Sequence, residues 1–161
     1  MNEDAIKPYF SQEDVHNGLC TVVNKLYGIT LTPCDSISVY NKDVKTYIVK
    51  DADNSLLGVF YSDYMPRASK RSGAWMSNFR EQQEGVRPLI YNVASFTKPA
   101  GDLPSLLTID EARTMYHEFG HALHGLLTQC KYKGVSGTSV AQDFVELPSQ
   151  IMEHWLYHLK C

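Results

Sequence analysis

The run His117-Glu118-Phe119-Gly120-His121 restricts what this chain can fold into more than any other feature of it. Histidines four residues apart lie about 40° from each other around a helix axis, so both imidazoles reach one metal ion only if this backbone is helical. The glutamate after the first histidine then sits beside that ion, which is the arrangement of a zinc-dependent hydrolase. The bland alternative is a helix whose histidines are incidental.

The neighbouring residues favour the helix. Thr108 and Glu111 form a T-x-x-E capping box, and Ile109, Ala112, Met115, Phe119, Leu123 and Leu126 recur at spacings of three and four, the stripe of an amphipathic helix. His117 and His121 fall at the edge of that stripe, where a cleft would open. Gly120 removes a side chain between them and permits close approach of a neighbouring backbone or of substrate. A catalytic zinc takes three protein ligands and a water. The metzincin pattern would supply a third histidine six residues after His121, but Leu127 stands there, so that subclass is excluded. A carboxylate from a second helix is the alternative, and Asp143, Glu146 and Glu153 are the acids downstream. If 137–150 is helical, Asp143 and Glu146 share a face, one to ligate and the other to orient an imidazole.

The pairing of His-Glu-Phe-Gly-His (117–121) with Asp-Phe-Val-Glu-Leu-Pro-Ser-Gln (143–150) resembles the thimet oligopeptidase family of zinc metallopeptidases, the M3 type. Gly73-Ala74-Trp75-Met76 and Arg87-Pro88-Leu89-Ile90-Tyr91-Asn92-Val93 are most similar to its peptidyl-dipeptidase branch. The resemblance implies that His117, His121 and Glu146 are zinc ligands, that Glu118 is the general base, and that Asp143 is an acid behind the zinc site. It also implies one Zn²⁺ per chain and oligopeptide substrates, with release of C-terminal dipeptides. An oligopeptidase A-like endopeptidase and an inactive zinc-binding or interaction fragment are the alternatives. Family members are several times longer, so the expectation is that residues 1–161 form part of a single catalytic domain, that this piece alone is inactive, and that its uncovered apolar faces favour self-association.

The fold expected is α+β: a zincin-like fragment with a small sheet packed against the H-E-x-x-H helix and a second ligand helix. Residues 1–107 supply a helix and the sheet, and 108–161 the zinc-binding helices. Ser11 with Asp14 caps a helix over 11–27 that Gly28 ends. Strands are expected at Ile37–Tyr40, Val44–Val49 and Leu56–Tyr61, the last two joined as a hairpin across Asp51-Ala52-Asp53-Asn54, and at Pro88–Phe96. The polar stretch 63–83 reads as a loop. Leu89–Phe96 is the candidate edge strand for a substrate backbone. Pro148 means that the second helix either starts there or bends there, with Ile151, Trp155 and Leu159 continuing its stripe.

A net charge of −3 offers no basic field for nucleic acid or anionic lipid, so neither nucleic acid nor membrane is an expected partner. No apolar run approaches the length of a membrane span, and the acidic N-terminus lacks a signal-peptide pattern; the expectation is a cytoplasmic protein, or a periplasmic one if a leader precedes Met1. Cys20, Cys34, Cys130 and Cys161 show no paired spacing and read as free thiols. His16 falls on the polar side of its helix, and His124, His154 and His158 read as supporting or surface residues.

Overall fold

The computed structural model describes residues 3–101 and 103–158. Its elements, in order, are α1 (Glu3–Ile6), α2 (Gln12–Tyr27), β1 (Thr30–Pro33), β2 (Lys45–Lys50), β3 (Leu56–Asp63), β4 (Trp75–Arg80), β5 (Leu89–Val93), α3 (Ile109–Leu127) and α4 (Leu147–Leu156). The architecture is α+β. One five-stranded sheet runs in the order β1-β2-β3-β5-β4, antiparallel except where β3 and β5 run parallel. Helices α2 and α3 lie on one face, α3 over β3, β5 and β4, and α2 towards β1.

Local chemistry sets the helix ends. The Ser11 hydroxyl accepts from the Asp14 N–H at 3.0 Å, and Gly28 closes α2 at φ 73°, a left-handed conformation. In α3 the capping box is complete: Thr108 Oγ1 accepts from the Glu111 N–H at 3.1 Å, while Glu111 Oε2 accepts from the Thr108 N–H at 2.9 Å. The β2–β3 hairpin turns at Asn54, which takes φ 66°.

Packing locks α3 to the sheet. Leu19, Phe60, Met115, Phe119 and Leu126 are fully buried, and the Phe60 and Phe119 rings meet edge to face at 5.1 Å. Near its C-terminal end α3 comes close because Gly125 has no side chain; a Cβ there would lie 2.8 Å from Ile90 Cδ1 and 2.9 Å from Met76 Cε. Arg87 then clips that end in place: its guanidinium donates to the Leu57 carbonyl at 2.7 Å and to the carbonyls of Leu126 and Thr128. Those two carbonyls belong to the helix end that lacks intrahelical donors.

Several expectations are corrected. The first strand is Thr30–Pro33, and Ile37–Tyr40 is not a strand. A proline is tolerated in β1 because it is an edge strand, needing hydrogen bonds on one side only. The stretch read as a loop contains β4, and β4 rather than the expected Leu89–Phe96 is the sheet edge on the α3 side; β5 (Leu89–Val93) is inserted between β3 and β4. His16 is not a polar-face residue: its ring stacks on Tyr47 at 4.9 Å, and burial pulls its pKa down to about 4. Cys20, Cys34 and Cys130 are free thiols; Cys161 and Leu159 lie outside the described residues. Among the described residues, no helix is long and apolar enough to cross a membrane.

The polar segment after β3 is pinned by a charge cluster. Asp63 is buried, and its carboxylate accepts from Arg67 at 2.8 and 2.9 Å, from Lys70 at 3.0 Å and from the Tyr40 hydroxyl at 2.8 Å. Burial opposes this charge, yet the donors Arg67, Lys70 and Tyr40 win and hold the carboxyl below its ordinary range. Lys70 also donates to the carbonyls of Asp63, Met65 and Ala94, tying the segment to the end of β5.

Candidate metal centre

His117 and His121 lie one turn apart on α3, their rings edge to face with centroids 4.9 Å apart. The third group comes from α4. Glu146 is the N-cap residue of that helix, and its side chain makes no cap hydrogen bond, so it is free to turn towards α3. Its Oε2 lies 3.3 Å from His117 Nε2 and 3.2 Å from His121 Nε2.

The helix begins at Leu147, so Pro148 falls in its first turn, where no N–H is required, and the axis has no reason to bend. What brings α4 against α3 is Gly120. A Cβ on that residue would lie 2.5 Å from Ser149 Cα and 2.7 Å from the Pro148 carbonyl oxygen, so only glycine admits this approach. Ser149 is fully buried at the contact, and its hydroxyl reaches back to Glu146 Oε2 at 2.8 Å.

Electrostatics differ between Glu118, His121 and Glu146. Glu118 is only 7% exposed, and burial pushes its carboxyl pKa up to about 6, with the Glu146 charge adding to the rise and His117 opposing it. Burial also lowers His121, against the pull of Glu146, which favours the neutral imidazole a metal needs. Glu146 is 48% exposed and is held low by its hydrogen bond from Ser149, then by the two histidines.

These atoms fit a zinc ion. In a tetrahedral site with bonds of about 2.0–2.1 Å, ligand atoms are separated by roughly 3.3–3.4 Å. The two His-to-Glu separations are close to that spacing, and all three donors lie within 4.8 Å of one another. Two imidazoles and a carboxylate are also a donor set that zinc takes in hydrolases.

Asp143 is not in the gathered donor set. It lies on an exposed turn before α4 and makes no hydrogen bond or ion pair among the described residues. Glu153, one of the three downstream acids but given no role in the sequence, holds the free nitrogen of the first histidine: its Oε1 is 2.6 Å from His117 Nδ1. The signal for it was helical spacing counted from the true start of α4, since Glu146 and Glu153 are seven apart and share a face. His124 is not part of the gathered set; it borders an apolar cavity with Leu123, Leu127, Leu147 and Ile151.

The chain matches the model of peptidase family M3 over residues 1–160. It is 44% identical to the dipeptidyl carboxypeptidases of Salmonella typhimurium and Escherichia coli, and 40% identical to the oligopeptidase A of Escherichia coli, in each case over 98% of this chain and 24% of the relative. It thus spans about a quarter of the length of these curated relatives. With a family match along essentially its whole length and identities of this order, the chain belongs to peptidase family M3.

Proposed function

We propose that residues 1–161 are part of a single catalytic domain of a zinc peptidase acting on oligopeptides, and that they carry its metal centre. The observation that carries this reading is the convergence of His117 Nε2, His121 Nε2 and Glu146 Oε2, with the buried Glu118 next in sequence to the first of them. His117, His121 and Glu146 would hold one Zn²⁺. When bound, zinc acts as a Lewis acid that makes water acidic near neutral pH and polarises a peptide carbonyl.

Glu118 is the general base in this reading. A carboxyl whose pKa is raised towards neutrality is a stronger base towards water than an ordinary glutamate, and near the working pH its protonated form can still return the proton to the departing amine. Its burial keeps it from solvent while it does so. Glu146 and the histidines are assigned to the ion rather than to proton transfer because their donor atoms gather at ligand spacing. Strand β4 has one unpaired side as the sheet edge nearest α3, and we assign it the substrate backbone, which would pair as an added strand.

Within this activity we favour release of C-terminal dipeptides, because the 44% identity is to proteins named dipeptidyl carboxypeptidase. Oligopeptidase A-like internal cleavage is the second reading, supported by the 40% match. The test is zinc stoichiometry together with product analysis of an N-acetylated oligopeptide after long incubation at high protein concentration. One zinc per chain and free C-terminal dipeptides are expected, the dipeptides but not the zinc being lost in Glu118→Gln. Zinc-free protein, or hydrolysis unchanged in Glu118→Gln, would refute the reading.

A further inference from the structure

We infer that Ser149 and Glu153 are positioning residues for the metal ligands, so that α4 works as a splint that sets Glu146 and His117 before any ion arrives. The inference rests on the reading of His117, His121 and Glu146 as ligands. Glu146, Ser149 and Glu153 are spaced three and four apart and therefore share one face of α4. That face is held against α3 at Gly120.

Glu146 by itself is poorly placed to be a rigid ligand, since it is about half exposed and its side chain has three free torsions. Ser149 removes that freedom. Its hydroxyl, cut off from solvent, shares its single proton between the Glu146 carbonyl at 2.9 Å and Glu146 Oε2 at 2.8 Å. This is the same oxygen that faces both imidazoles.

Glu153 does the corresponding work on His117. With Glu153 ionised, its oxygen 2.6 Å from Nδ1 accepts from an N–H there, and in the neutral ring this leaves the lone pair on Nε2, towards Glu146. Such a partner fixes the ring's rotation. His121 has no equivalent, since its Nδ1 is buried without a hydrogen-bond partner among the described residues. The splint therefore acts on one imidazole and on the carboxylate.

The experiment compares this chain with its Glu153→Ala, Glu153→Gln and Ser149→Ala variants. Zinc affinity is measured by competition with a chromophoric chelator, and the visible absorption of the Co²⁺-loaded proteins reports ligand geometry. Glu153→Ala should bind zinc about 10–100-fold more weakly. Glu153→Gln should recover most of that loss, because its amide oxygen still accepts from Nδ1–H. Ser149→Ala should weaken zinc several-fold and alter the cobalt bands, while the metal-free protein stays folded with at most the small drop in melting temperature that one lost hydrogen bond brings. Parent-like affinity in Glu153→Ala, or a glutamine variant as weak as the alanine one, would overturn the inference. A parent chain that takes up no zinc would instead remove the metallopeptidase reading, and this inference with it.

Discussion

The Cβ that Gly120 lacks would sit 2.5 Å from Ser149 Cα, so Glu146, the proposed third ligand, is placed by the absence of a side chain on the helix that carries His117 and His121. Gly120→Ala has to push α4 away from α3. The gain in helix propensity from alanine, about 1 kcal/mol, is set against an overpacking cost of typically 1–3 kcal/mol. Small net destabilisation and a clear loss of zinc affinity are expected, because Glu146 moves with α4. Chemical denaturation and chelator competition on the same protein would separate the two. A variant with unchanged zinc affinity would show that α4 can retreat without carrying Glu146 out of reach.

The contrast between Glu146 and Asp143 gives a second expectation. Glu146→Ala should lose most bound zinc, whereas Asp143→Asn should keep it, since Asp143 lies exposed on the turn before α4. Metal analysis after gel filtration decides the matter. Strong retention in Glu146→Ala with loss in Asp143→Asn would reverse the roles proposed here.

Away from the centre, Asp63 makes stability depend on acid. Its folded pKa is depressed, so its contribution is fully present above the unfolded aspartate value of about 3.9 and is lost as pH falls through the lower folded value. Asp63→Asn leaves Lys70 buried without its countercharge and should cost about 3–5 kcal/mol at neutral pH. The gap between parent and variant should narrow below pH ~4. Urea denaturation at pH 7 and pH 3 tests this, and an equal gap at both values would mean that the ion cluster does not titrate as argued.

What could be read from the residues follows the range of the interactions involved. The ends of α2 and α3 were legible because Ser11, Gly28, Thr108 and Glu111 act within one turn of backbone. The histidine pair was legible for the same reason. Strand β1 was hidden by Pro33, which argues against a strand unless the edge position is known, and β4 by a polar sequence whose pairing partner, β5, lies beyond it in the chain. The helix register around Glu146 depended on a contact between Gly120 and Ser149, 29 residues apart, so the spacing that singles out Glu153 emerged only with the start of α4.

The last expectation concerns turnover by the 161-residue chain alone. Two of its three metal donors are partly open to solvent: Glu146 is 48% exposed and His117 25% exposed on the side chain, against 12% for His121. Charge stabilisation in a transition state is worth most where water is excluded, and loss of a single oxyanion donor commonly costs 10²–10³ in rate. An open centre also forgoes the alignment that a closed cleft imposes on its substrate. We therefore expect this chain to bind zinc yet to hydrolyse a quenched oligopeptide at least 10²-fold more slowly than the Escherichia coli dipeptidyl carboxypeptidase, of which it matches 24%. Replacing the matching quarter of that relative by residues 1–161 should restore a large part of the rate, because the ligands, Glu118 and the α4 contact travel together. Comparable turnover by the isolated chain would show that the groups described here suffice for catalysis; an inactive chimaera that still binds one zinc would show that the 44% identity does not carry the substrate-facing surface.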